Sequence, residues 1–257
     1  AVACLSNLRQ IQTAHLMYQD DFDGAFVDAG MPHGGLAPSS VEGIWITTLQ
    51  AYAGSDEITR SPVDTSPWWS ISQGGDDPGM TLAEFRGFYE ANREVFTDDQ
   101  FGNEPSFEYA RWTSYGLNNL LTSSVSGFVW GGNDPVTGRE ITSSGPYANR
   151  RHIPRPSETA QWLMMDFDGN ESGAAEFAKS EHVHVDDWSP PPTLAALGLA
   201  EGFAEKAAQL QLEVDSHGRN RSAYAFVDGH VSEQTFEAMY ESLTVNKFHH
   251  YAQPPAR

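Results

Sequence analysis

The chain has 257 residues, of which 39% are hydrophobic and 12% are aromatic. This composition is enough to fill the core of one domain or of two small ones, and it excludes a disordered chain. Acidic residues outnumber basic ones by 35 to 15, for a net charge of −20. Since phosphate binding requires clustered Lys and Arg, this balance argues against nucleic acid and against an anionic membrane surface as partners. One cysteine, Cys4, leaves no intrachain disulfide.

The N-terminal residues 1–24 predict an amphipathic helix that ends in an Asp-rich turn at Asp20, Asp21, Asp23 and Gly24. A helix of about twenty residues is about 30 Å long. The plainest interpretation is an ordinary helix that covers a sheet. Its packing face is formed by residues spaced three or four apart, namely Cys4, Leu8, Ile11, His15, Tyr18 and Phe22.

Local signals predict further elements along the chain. Residues 25–43 are rich in Gly, Pro and Ser and predict a loop, and residues 44–52 predict a short helix that stops at Gly54. A capping box of Thr81 and Glu84 predicts the start of a helix that runs to about Phe96.

Two segments predict strands, and the regions around them predict turns and helices. Residues 112–118 predict a central strand, and the apolar run in 159–166 predicts a strand that is covered on both faces. Residues 123–145 predict a hairpin or a surface excursion. Residues 193–212 predict a helix that is broken at Gly198 or Gly202. Its inward residues are expected to be Leu194, Leu197, Phe203, Ala207 and Leu210. Near the C-terminus, Asp228-Gly229 predicts a tight turn and residues 234–243 predict a last helix.

An acidic turn follows the second strand. Asp166, Asp168, Asn170 and Glu171 place oxygen ligands around Gly169, an arrangement that suits calcium. The pattern differs from an EF-hand loop, because its glycine comes early and no Glu stands at position 177. The alternatives are a calcium site and a solvated acidic turn.

A second group of possible metal ligands lies in residues 181–187. Alternation along a strand would place His182, His184 and Asp186 on one side. Two imidazoles and a carboxylate are able to hold zinc. The alternative is a pair of ordinary surface histidines.

The sequence contains no nucleophile elbow, phosphate-binding loop, dinucleotide glycine pattern or paired-cysteine zinc motif. His217, Asp228 and His230 resemble a general-base set, but a structural role in turns is the preferred interpretation. The chain is therefore expected not to be an enzyme.

Several short motifs together resemble those of one protein family. The segment Cys4-Leu5-Ser6-Asn7-Leu8-Arg9-Gln10-Ile11 resembles the periplasmic half of the first helix in pseudopilin-like proteins. Ser61-Pro62-Val63-Asp64 is similar to their Cys-Pro-x-Asp segment, with Ser61 in the place of cysteine. Ser114-Tyr115-Gly116-Leu117-Asn118 and Pro156-Ser157-Glu158-Thr159 resemble two of the family's strand segments.

The C-terminal signature of the same family is His, nine residues, then Asp-Gly. It is matched here by His217, Asn220, Asp228, Gly229 and His230. Ten residues instead of nine separate His217 from Asp228, so a bulge or a longer loop is expected before the strand.

The resemblance implies an α+β fold in which a long N-terminal α-helix packs on an antiparallel β-sheet, as in pilins. It implies a single domain over residues 1–257, with insertions at about 65–110 and 170–213. The implied function is a structural subunit of a pseudopilus or type IV pilus-like filament, such as the pseudopilus of type II secretion. The subunits would be exported and held in the cell envelope, with copies of the chain and other pseudopilins as partners. Calcium ions would moderate repulsion between acidic heads. In the family a membrane-spanning half precedes this helix, whereas this sequence contains no run of eighteen apolar residues.

Two other function classes remain open. A surface module for carbohydrate would use Trp68, Trp69, Trp130 or Trp188 as a stacking platform. A hydrolase would use a carboxylate or a metal-bound water.

Overall fold

A computed structural model describes residues 1–29, 44–55, 57–92, 108–122, 149–167, 178–188, 193, 196–198, 202–242 and 244–249. Within these ranges the fold is α+β. The helices are α1 (Val2–Asp21), α2 (Trp45–Thr48), α3 (Gln50–Ala53), α4 (Leu82–Asn92), α5 (Phe203–Gln209) and α6 (Phe236–Met239). The strands are β1 (Tyr115–Asn118), β2 (Ala160–Met164), β3 (His182–Val183), β4 (Arg221–Phe226), β5 (Val231–Thr235), β6 (Tyr240–Ser242) and β7 (Val245–Asn246).

The main sheet has five strands in the order β3-β1-β2-β4-β5. The pairs β1–β2, β2–β4 and β4–β5 are antiparallel, but β3 runs parallel to β1 with Leu117 opposite His182. The predicted antiparallel sheet is therefore correct for four strands and wrong for the β3 edge. Strands β6 and β7 form a separate antiparallel pair.

Helix α1 is a single helix of 20 residues, as predicted. Cys4, Leu8, Ile11 and His15 are buried. The stripe is shorter than expected, because Tyr18 is only half-buried and Phe22 lies beyond the last helical residue with 52% of its surface exposed. The Phe22 ring stacks on Tyr18 with ring centres 4.3 Å apart, so the last turn is covered by its own side chains.

The main sheet is covered on both faces. Successive side chains of a strand point to opposite faces. Accordingly Trp162 packs in the same cluster as α1, while Leu163 packs in a second cluster with Ala208 of α5. All five residues of β2 are buried, which confirms the prediction of a strand covered on both faces. In β4 the small side chains of Ala223 and Ala225 lie on the α1 face.

The local start and stop signals act as predicted. Gly54 ends α3 in the left-handed conformation with φ 75°. At the start of α4, the Thr81 backbone N–H donates to Glu84 Oε2 at 2.8 Å and the Glu84 N–H donates to Thr81 Oγ1 at 3.2 Å, which completes the capping box. Residues 93–100 and the predicted hairpin at 123–145 lie outside the described residues.

The helix predicted over residues 193–212 is broken at Gly202 as expected, but its predicted buried face is wrong at Leu197 and Leu210. Helix α5 begins after Gly202, which has φ 74°. It buries Ala204 and Ala208, while Leu197 and Leu210 are 71% and 41% exposed. Ala207 is half-buried, as is Phe203, and Leu194 lies outside the described residues. Helix α5 thus contributes its alanine methyl groups to the second cluster beside the sheet.

The last predicted helix is also wrong over most of its length. Gln234 belongs to β5, and the helical part is only the four residues of α6. The Thr235 hydroxyl caps α6 by accepting a hydrogen bond from the Ala238 N–H at 3.3 Å. Tyr240 then starts β6, because its backbone pairs with Asn246.

A buried ion pair links three separate segments. Arg111 Nε lies 3.0 Å from Asp64 Oδ2, and both side chains have no exposed surface. The guanidinium also donates to the main-chain oxygens of Asp166 at 2.7 Å and Ala178 at 2.8 Å. Burial lowers the pKa of the Arg111 guanidinium, and the charge of Asp64 opposes that shift.

Substitution Arg111→Met is expected to destabilise the fold by about 3–5 kcal/mol, because Asp64 would remain as a buried charge without its partner. The double variant Asp64→Asn, Arg111→Met should recover part of that loss, since it removes the stranded charge as well. Urea unfolding followed by circular dichroism measures both.

The matched control is Arg60→Met. The half-buried Arg60 guanidinium lies over the Trp69 ring at 4.4 Å, and a contact of this kind contributes about 0.5–2 kcal/mol. Equal losses for Arg60→Met and Arg111→Met would contradict the importance of the buried pair.

Candidate functional site

The buried face of α1 carries polar side chains that bind the sheet and the following loop. Gln12 Nε2 donates to the Phe226 carbonyl at 2.9 Å, at the end of β4. The Val27 N–H donates to His15 Nε2 at 3.2 Å, and the imidazole packs edge-on to Trp162. Burial lowers the pKa of His15 to about 3, so the imidazole is neutral at physiological pH. These contacts hold α1 at one position along β4.

The N-terminal part of α1 contacts the Ser-Pro-x-Asp segment. Cys4 Sγ lies 3.1 Å from Ser61 Oγ, and Asn7 Nδ2 donates to the Arg60 carbonyl at 2.9 Å. The Ser61 N–H in turn donates to Ser114 Oγ at 2.8 Å. Ser61, which stands where pseudopilin-like proteins have a cysteine, therefore lies beside Cys4.

Asp64 and Ser114 continue this set of contacts into the sheet. The Ser114 hydroxyl donates to Asp64 Oδ2 at 2.6 Å, and the Ser66 N–H donates to Asp64 Oδ1 at 2.9 Å. At the other end of β1, Asn118 Nδ2 donates to the carbonyls of Ala160 and Phe248 at 3.0 and 2.6 Å. The polar residues of these motifs are thus used in contacts within the fold.

The Asp228-Gly229 turn lies beside α1. Gly229 has φ 102°, and a Cβ built on it would lie 2.9 Å from Leu16 Cδ1. The His230 N–H donates to Asp228 Oδ1 at 3.1 Å, and its Nδ1 lies 2.6 Å from the same oxygen. The His230 ring stacks on Phe226 with ring centres 4.2 Å apart. Asp228 and His230 therefore organise the turn that closes the β4–β5 hairpin.

His217 lies at the opposite end of that hairpin. Its N–H donates to the Arg221 carbonyl at 3.0 Å, and its Nδ1 lies 3.3 Å from Glu233 Oε2. Strand β4 separates it from Asp228 by roughly 20 Å at about 3.4 Å per residue. Asp228 and His230 are therefore in contact with each other, but His217 does not join them.

Residues 218–220 connect His217 to the start of β4. Gly218, Arg219 and Asn220 take left-handed conformations with φ 78°, 62° and 56°. The Asn220 N–H donates to Asp215 Oδ1 at 2.6 Å, and its Nδ2 donates to Glu237 Oε1 at 3.2 Å. These contacts support the left-handed residues, which would otherwise be unfavourable outside glycine.

Of the predicted calcium ligands, Asp168, Asn170 and Glu171 lie outside the described residues. The backbone of Asp166 is held by Gln211, whose carbonyl accepts its N–H at 3.0 Å. The Asp166 carboxylate interacts with the Arg111 cation, which competes with any metal ion for it. Calcium at this turn stays a prediction.

The predicted zinc ligands are partly brought together. His182 Nε2 and His184 Nε2 lie 2.7 Å apart, the two ring planes differ by 26°, and His182 Nδ1 lies 2.8 Å from Glu181 Oε1. Asp186 does not continue the alternation, because β3 ends at Val183 and residues Val185–Trp188 form a 3₁₀ turn. Within the part of the chain that the structure describes, no three His, Cys, Asp or Glu side chains form a metal-binding group.

The indoles offer little of the predicted stacking platform. Trp69 and Trp188 are each 1% exposed, so neither can stack on a sugar from solvent. Trp68 is half-buried, and Trp130 lies outside the described residues. A pocket of about 570 Å³ adjoins Trp69 and is lined by Thr59, Arg60, Ser61, Pro62, Asp64, Trp69 and Gln73.

Sequence reasoning missed three residues that organise these contacts, namely Gln12, Arg111 and Glu181. Gln12 and Arg111 carry no motif, and their partners are distant in sequence. Glu181 had a usable signal, since a carboxylate next to a histidine often orients that imidazole.

The free energy of unfolding is expected to decrease as the pH is lowered, because His15 is buried in its neutral form. The pKa of His15 in the fold is about 3, below the ordinary 6.5, so between these values the unfolded chain takes up a proton that the folded chain refuses. The resulting loss of unfolding free energy is absent above pH 6.5. It grows by about 1.4 kcal/mol per pH unit below that value and reaches about 2 kcal/mol at pH 5. Urea unfolding at pH 7.5 and pH 5 measures it. In His15→Gln this pH-dependent part should disappear, and an unchanged slope would refute the assignment.

Substitution Ser61→Cys is expected to form a disulfide with Cys4 on oxidation, because the two side-chain atoms already lie 3.1 Å apart. A disulfide between residues 4 and 61 closes a long loop and is expected to add about 2–4 kcal/mol to the free energy of unfolding. Mass spectrometry and non-reducing urea unfolding detect it. The control is Ser222→Cys, which is also buried but alternates with Ala223 and so lies on the other face of the sheet. Failure of Ser61→Cys to oxidise, or oxidation of both variants, would contradict the placement.

The described residues thus contain two separate groups. Motif residues such as Ser61, Asp64 and Ser114 contact one another, and His182 and His184 form a pair elsewhere. Within the described residues, no helix has both the length and the hydrophobicity needed to cross a bilayer. Comparison with family models, curated proteins and solved structures finds no match to this chain. The function is therefore argued from the geometry of these residues.

Proposed function

We propose that this chain is a structural subunit of a pilin-like filament, in which copies pack through α1 and the acidic heads face outward. The observation that carries the proposal is the way α1 is held. Gln12 binds the end of β4, Leu16 lies against Gly229, and Cys4 lies against Ser61. Two of these contacts join α1 to the C-terminal β4–β5 hairpin, and the third joins it to the Ser61-Pro62-Val63-Asp64 segment, so α1 meets two regions of the resemblance to pseudopilin-like proteins.

The charge of α1 also supports packing between copies. Residues 1–19 contain no Asp or Glu and a single basic residue, Arg9, although the whole chain carries 35 acidic residues. The side chains of Ser6, Arg9, Thr13 and Met17 form an exposed stripe along the helix. Neighbouring helices can therefore approach without the like-charge repulsion that the acidic heads experience.

The proposal extends to location and partners. Export, a place in the cell envelope and contact with other pseudopilins all follow from the same resemblance. Divalent cations between the acidic heads would reduce their repulsion, since the net charge is −20. Of the suspected general-base set, His217 lies at the opposite end of β4 from Asp228 and His230.

Cysteine cross-linking tests whether α1 helices meet. In a Cys4→Ser background, Thr13→Cys places a thiol on the exposed stripe of α1. In cells that express the full-length protein, mild oxidation is expected to give a disulfide-linked dimer in more than half of the molecules. Electron microscopy of the same cells should show filaments that are lost in Thr13→Glu, because the added carboxylates would face one another.

The matched control is Lys206→Cys, an exposed position of α5 in the head. It should stay monomeric after the same oxidation. Urea unfolding must show that Thr13→Glu keeps the wild-type stability, because position 13 is exposed. A monomeric Thr13→Cys protein with no filaments in wild-type cells would overturn the proposal.

A further inference from the structure

Three residues with metal chemistry, Glu181, His182 and His184, are joined near β3. The Glu181 side chain has no exposed surface, and its Oε1 lies 2.8 Å from His182 Nδ1. An ionised carboxylate only accepts hydrogen bonds, so His182 donates through Nδ1–H. In the neutral imidazole this tautomer leaves the lone pair on Nε2. The Nε2 atom of His182 is therefore prepared to act as a ligand or as an acceptor.

His184 presents its own Nε2 to the same point. The two Nε2 atoms lie 2.7 Å apart, so one proton is shared between them when no metal is bound. Bonds of about 2.0–2.1 Å from two nitrogens to a tetrahedral metal require the nitrogens to be about 3.3 Å apart. Separation of the rings by about 0.6 Å would thus allow a metal ion to replace the shared proton.

The backbone around the pair is held on each side. The His184 N–H donates to Gln211 Oε1 at 2.8 Å, and the His182 N–H donates to Ser180 Oγ at 3.2 Å. The Trp45 indole donates to the Glu181 carbonyl at 2.7 Å. A pair held in this way loses little freedom when it binds an ion.

We propose that His182 and His184 bind a divalent transition metal such as Zn²⁺, with Glu181 as the carboxylate that orients His182. A buried carboxylate, an imidazole and a metal in this order form a common arrangement at zinc sites. Imidazole ligands favour Zn²⁺, Cu²⁺ and Ni²⁺ over Ca²⁺ and Mg²⁺. His182 is 5% exposed and His184 is half-buried, so water can reach the ion and complete its coordination.

Isothermal titration of the full chain with ZnCl₂ tests the proposal. Wild type is expected to bind one ion with a micromolar dissociation constant at pH 7.5 and at least tenfold more weakly at pH 5.5, where protons compete for the imidazoles. His184→Gln should weaken binding at least tenfold. Glu181→Gln should weaken it by about 10- to 100-fold, because His182 loses the group that orients it.

The matched control is His152→Gln, an exposed histidine in the 3₁₀ turn Arg150–His152, which should bind Zn²⁺ as wild type does. A second measurement needs no variant. Histidine-ring NMR of wild type should show that Zn²⁺ shifts the Nε2 resonances of two rings, and that the shifts saturate together. Absence of zinc binding, or equal affinity in His184→Gln and wild type, would overturn the proposal. Loss of this site leaves the filament proposal intact, because the cross-linking test probes a different face.

Discussion

The position of α1 on the sheet depends on polar side chains that the helix buries. Gln12 and His15 are enclosed between α1 and the sheet, so each must find a partner there or lose the hydrogen bonds that water would supply. Gln12 Nε2 has its partner at the Phe226 carbonyl, and His15 Nε2 has its partner at the Val27 N–H. Apolar packing alone would tolerate a shift of α1 by one helical turn along the sheet. The hydrogen bonds of Gln12 and His15 form at only one of these positions, so they fix the helix.

This placement explains why the motifs of the resemblance lie where they do. With α1 held over the end of β4, Leu16 comes next to Gly229 and Cys4 comes next to Ser61. The buried pair of Asp64 and Arg111 then connects that region to the segments that follow β2. Motifs that are far apart in sequence are thus parts of one scaffold, and any function must use the surface that this scaffold presents.

The two proposals use different parts of that surface. Filament packing uses the uncharged stripe of α1, on the outer side of the helix. The proposed metal site uses His184, which follows the edge strand β3. Helix α1 contacts mainly β4 and β5, at the opposite edge of the sheet. The net charge of −20 attracts divalent ions, which supports metal binding, whereas it opposes packing between copies except along the uncharged stripe of α1.

The sequence by itself determined the features that depend on neighbours a few residues away. Helix α1, the Thr81–Glu84 capping box, the buried run of β2 and the Asp228-Gly229 turn follow from periodicity and local hydrogen bonding. Tertiary structure decided the parallel pairing of β3, the buried face of α5, the short α6 and the partners of Gln12 and Arg111. These outcomes depend on contacts between distant segments. Such contacts override the local preference for helix or strand, because a buried polar or charged group without a partner costs more free energy than a change of helix or strand propensity.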